Sequence, residues 1–120
     1  MSQISAQTLS PSLEKELYYT LFQLVADLSN PKDSTKFCKD FFSKTELMVF
    51  TKRIAIAVSL DKGYSYEEIR KNLKVSTATI STVAERLESD GYQLALQKIK
   101  AEQWAGNISS KLVRMFKAAK

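Results

Sequence analysis

Ser76, Thr77, Ala78 and Thr79 stand in a row where a helix begins, and together they carry three hydroxyls, a methyl surface and a run of backbone amides. Small side chains there let the main chain approach another surface closely, whereas bulky ones would hold it away. The chemistry on offer is hydrogen bonding and methyl contact with base edges in a DNA major groove, and amide contact with phosphate. Thr82, one turn further on, joins the same surface. Arg70, Lys71 and Lys74 before the run and Arg86 beyond it are cations suited to phosphate. The same pattern also fits a plain helical hairpin inside a bundle, with its polar end in solvent.

Other chemistries find little support. The chain has no histidine, which removes His-based triads, imidazole metal sites and the commonest general base. Its single cysteine, Cys38, cannot form an internal disulfide and reads as a small buried hydrophobe beside Phe37. Glu67 and Glu68 are adjacent on a helix, so they point apart and serve helix-start electrostatics rather than an acid/base dyad. No catalytic residue, metal site or cofactor is expected. Charge is uneven: residues 1–50 hold five Lys against six acids, net −1, and residues 51–120 hold thirteen Lys+Arg against seven acids, net +6. The positive excess lies in the half that carries the small polar run, where attraction to phosphate would need it. It is equally the composition of a solvated helical surface. Lys98, Lys100, Lys111, Arg114, Lys117 and Lys120 could graze backbone phosphate, but such a solvated face is the better reading of them.

The elements that must position these residues are helices. Ser10-Pro11 opens a first helix whose Leu13, Leu17, Leu21, Leu24 and Leu28 recur at helical spacing; Tyr18, Phe22 and Val25 widen its apolar face. Asn30-Pro31 stops it. A short aromatic helix follows from Lys32 to Phe42. Ser43-Lys44-Thr45-Glu46 is a capping box that opens a helix with Leu47, Phe50, Ile54 and Val58 inward, closed by Lys62-Gly63. Ser65-Tyr66-Glu67-Glu68 is a second capping box, starting a short helix with Ile69 and Leu73 inward. Ser76 caps the next helix, with Ile80, Val83 and Leu87 inward, and Gly91 ends it. Two tail helices are expected, roughly Tyr92 to Trp104 and Ile108 to Phe116, broken at Gly106-Asn107. A capped short helix, a tight turn and a second capped helix make a helix-turn-helix over residues 65–88. No apolar stretch approaches the ~20 residues needed to span a bilayer.

The run "SYEEIRKNLKVSTATIS", with "SKTELMVFTKRIAIAVSLDKG" before it, resembles the Trp repressor superfamily, most specifically in "STATIS" at the start of the reading helix. The resemblance covers roughly residues 13 to 90. It implies an all-α, intertwined homodimer reading a two-fold site in double-stranded DNA, with half-sites about one helical turn apart. It also implies an effector site in which two arginines sandwich an indole. Arg53 matches the first and Thr79 a polar pocket position, but the second arginine falls on Thr82 and the glycine after it on Val83. Tryptophan is therefore not the expected effector, whose identity stays open.

The reading is a flexible N-terminus over 1–9, a Trp repressor-like helical domain over 10–90 and a C-terminal helical extension over 91–120. It describes a cytoplasmic, homodimeric transcriptional regulator of the Trp repressor-like kind, binding DNA without catalysis. The alternative is a helical protein–protein interaction module that binds no DNA.

Overall fold

The computed structural model describes residues 7–102 and 105–118, with the side chains of 105–109 and 118 left aside. Most of the stretch 1–9, Trp104 and Lys120 lie outside the described residues. Among these there are seven helices and no strand: α1 (Pro11–Asp27), α2 (Pro31–Phe41), α3 (Lys44–Asp61), α4 (Tyr66–Leu73), α5 (Thr77–Arg86), α6 (Asp90–Ala101) and α7 (Ala105–Ala118). No helix among the described residues is long and apolar enough to cross a membrane. The chain forms two compact units that divide within α3, Met1–Met48 and Val49–Lys120.

Local chemistry sets the helix starts. Ser10 Oγ accepts from the Leu13 amide with Pro11 in the first turn, and Asn30 Oδ1 accepts from the Asp33 amide at 2.9 Å with Pro31 following. Asn30-Pro31 thus begins α2 as well as ending the segment before it. Ser43 and Glu46 exchange two hydrogen bonds, 2.7 Å from the Ser43 amide to Oε1 and 3.0 Å from the Glu46 amide to Oγ. The amide bond to the carboxylate, then the hydroxyl's contact, holds the Glu46 carboxyl below its usual range. Ser65 and Glu68 repeat the box. Gly63, at φ +86°, closes α3 in a left-handed turn: the Tyr64 amide donates to the Ser59 carbonyl and the Gly63 amide to the Leu60 carbonyl.

In the unit Val49–Lys120, one core gathers Ile56, Ala57 and Val58 of α3, Ile69 of α4, Ile80 and Val83 of α5, Leu96 of α6, and Leu112 and Phe116 of α7. The tail is part of this core, and Phe116 lies stacked on Tyr64 with ring centroids 4.0 Å apart. In the unit Met1–Met48, neither α1 nor α2 buries a residue. Phe37 stacks on Phe41 at 4.6 Å and meets Phe42 edge-on at 6.4 Å, while Cys38 is half-buried rather than buried.

Three boundaries and faces differ from the sequence reading. The reading helix ends at Arg86, not Gly91, because Ser89 begins α6 and Gly91 sits in its first turn. Gly106-Asn107 does not break the tail: both lie in the first turn of α7, where amides lack helical partners and a weak helix former costs little. The interruption follows Ala101, where Glu102 turns extended. On α3, Phe50 and Ile54 face outward at 45% and 51% exposure, and Leu47 is half-buried. Ile56 through Ser59 are buried instead, since α4 to α7 converge on the C-terminal half of this helix.

Candidate nucleic-acid interface

α5 is anchored from within and open at its start. Ile80 and Val83 are 0% and 1% exposed, which fixes the roll of the helix. Ser76, Thr77, Ala78, Thr79 and Thr82 are all exposed on the other side. Ser76 Oγ caps the helix by accepting from the Thr79 amide at 3.1 Å, and it also bonds Thr79 Oγ1 at 2.9 Å. Each hydroxyl has one proton, so one of this pair is consumed and the other can point outward. Thr82 Oγ1 donates back to the Ala78 carbonyl at 3.0 Å and so offers an outside partner only acceptor capacity.

The turn before α5 is short and strained. Lys74, the cap of α4, sits in the left-handed region at φ 56°, where a residue with a Cβ costs about 1–2 kcal/mol. Its carbonyl accepts from Lys52 Nζ at 3.0 Å, a cation of α3 that meets the negative end of α4. Lys52 has no signature in the sequence beyond its charge. Arg70, Lys71 and Lys74, with Asn72 and Val75, line a concavity of about 570 Å³ at this corner. All three cations are exposed. Arg70 is not idle: its guanidinium grips Glu67 at 2.6 and 3.1 Å. That bond holds the Glu67 carboxyl below its usual range and raises the arginine further. A phosphate would have to share or displace that carboxylate.

A second cavity, of about 650 Å³, opens between α3, α5 and α6. Arg53 and Phe50 stand on its α3 side, the guanidinium carbon 5.3 Å from the ring centroid, an attractive cation–π contact. Thr82 and Arg86 line it from α5; Tyr92, Leu96 and Ile99 from α6. It is an apolar hollow with two guanidiniums at its edge. Among the described residues no group of three or more Cys, Asp or Glu side chains could hold a metal ion.

Residues 16–100 match the family described as Trp repressor protein. The chain belongs to the Trp repressor family. A curated relative is the uncharacterized protein YerC of Bacillus subtilis (strain 168), 30% identical over 82 residues that cover 67% of this chain and 79% of the relative. No solved structure matches the chain. The family is one of helix-turn-helix, DNA-binding transcription regulators, and the all-α architecture with α4 and α5 as the motif agrees with it.

Set beside the Trp repressor resemblance, the cavity has a lining of its own. Arg53 is not the sole guanidinium there, because Arg86 lines the same hollow. It stands four residues beyond Thr82, about 6 Å further along the helix axis than the resemblance would put a stacking partner. Val83 is 1% exposed within the core and is not part of the lining. Thr79 is likewise outside the lining, on the capped start of α5.

Proposed function

We propose that this member of the Trp repressor family is a sequence-specific, homodimeric transcription regulator that reads double-stranded DNA with the N-terminal turn of α5. The observation that carries the reading is the five small exposed residues Ser76, Thr77, Ala78, Thr79 and Thr82 on a helix whose other face is locked by Ile80 and Val83. Lys71, Lys74 and Arg86 would meet phosphate, with Arg70 joining them as it releases Glu67. No Arg or Lys stands in the first turn of α5, so water-mediated contact and duplex shape would carry much of the specificity. A second copy of the chain would cover the apolar face of α1 and set two reading helices on a two-fold site. Selecting bound duplexes from a random pool tests this: an enriched, two-fold related sequence is expected, and retention of no duplex would favour the protein-interaction reading.

DNA binding in this scheme does not depend on tryptophan. The second guanidinium is displaced by a turn, so an indole seated on Arg53 would lack a facing plane at the position of Thr82. The cavity would suit another apolar anion. Calorimetric titration with L-tryptophan should show no saturable uptake at micromolar concentration; uptake that tightened DNA association would overturn this.

A further inference from the structure

We propose that the outer face of α7 is a second contact with the DNA backbone, Lys111, Arg114 and Lys117 reaching phosphates beyond those beside α5. This rests on the DNA-binding reading above. At about 100° per residue the three positions form one stripe, and its centre lies opposite the direction of Leu112 and Phe116. All three are exposed, whereas Leu112 and Phe116 are 7% and 0% exposed. The apolar side of α7 is therefore spent on the core, in contact with α4 and α6 and stacked on Tyr64. The cations ride on the same compact unit as the reading helix.

Charge complementarity selects the occupant. Residues 103–120 contain four cations and no Asp or Glu, so nothing within the segment neutralises the stripe. Elsewhere in this unit two exposed cations are paired with carboxylates: Lys100 with Asp61 at 2.9 Å, and Arg70 with Glu67. Surfaces that serve only solubility interleave both signs. A membrane-surface helix needs its apolar face free to enter lipid, and here that face is occupied. A polyanion met by charge alone is the partner that fits, and duplex DNA is the one this unit already addresses. The match to the Trp repressor family ends at residue 100, so α7 is a feature of this chain beyond the matched segment.

The test compares the full chain with K111Q/R114Q/K117Q on a random-sequence duplex across a salt series, with circular dichroism confirming equal helix content. The parent should bind, and the variant should lose up to about 0.9 units of salt slope per contact removed, with weakening alike for every sequence. The charge-preserving K111R/R114K/K117R should restore the slope. A parent that binds DNA with a slope the triple variant leaves unchanged would overturn this inference alone. A parent that binds no duplex would overturn the DNA reading with it. Unchanged DNA slope together with charge-dependent capture by phosphatidylglycerol vesicles would overturn it in favour of a lipid surface.

Discussion

α1 and α5 are both well-capped helices with ample apolar residues, yet they stand in opposite positions. α5, ten residues long, sinks Ile80 and Val83 completely. α1, seventeen residues long, buries none, and Leu13, Leu17, Leu21, Leu24, Tyr18, Tyr19, Phe22 and Val25 all keep between 40% and 64% of their surface exposed. The contrast teaches where each part of the molecule gets its stability. The unit holding α5 closes its own core. α1 satisfies its backbone through Ser10 and Pro11, but within its own unit its apolar face stays uncovered. Full burial of such a side chain is worth roughly 1.5–3 kcal/mol, so covering what is still wet on α1 would stabilise an assembly by several kcal/mol.

The largest effect should come from breaking the self-sufficient side. Ile80→Ala deletes fully buried atoms among well-packed neighbours and should cost about 2–5 kcal/mol in a denaturant titration. Light scattering should still report a dimer. Leu17→Glu with Leu21→Glu should do the reverse, converting a micromolar dimer to a monomer while the far-UV signal of the second unit persists. A parent that is monomeric at micromolar concentration, or a double variant of unchanged mass, would break the comparison and take the two-fold site with it.

A smaller effect sharpens it. Lys74→Gly relieves the left-handed strain at the turn and should stabilise the unit by about 0.5–1 kcal/mol after glycine's own entropic cost. The same change should lower the salt slope of DNA binding by about 0.9 for the lost phosphate contact. Stability up and DNA affinity down would mark Lys74 as a residue kept for its partner. Smaller still, Glu67→Gln should tighten binding to any duplex a few-fold by freeing Arg70 and removing a negative charge, read by fluorescence polarisation. Unchanged affinity would take Arg70 out of the interface.

Much of this was legible in the residues. Caps are local, and Ser10, Ser43–Glu46, Ser65–Glu68 and Ser76 all act as their spacing suggests. The buried stripe of α5 followed from its 3.6-residue period because only one side is apolar. α3 defeated that logic. Its C-terminal half is apolar on every side, and the converging helices, not its own pattern, decide that Ile56 is buried and Ile54 is not. The left-handed Lys74 and its brace Lys52 left no trace, since lysine carries no turn preference and the pair is 22 residues apart. Arg86 reaches the cavity because it lies one turn beyond Thr82 on the same side of α5, a placement that helical spacing makes legible.

The most direct test of the central claim, that the start of α5 reads DNA, is Thr79→Glu measured on a selected duplex and on a scrambled one. A carboxylate on the exposed first turn of α5 would meet phosphate and base edges with like charge and bulk, while Ile80 and Val83 stay in place. The selected duplex should lose its advantage entirely, so that both are bound with the same weak affinity, with helix content unchanged. A variant that still prefers the selected duplex as the parent does would contradict the claim.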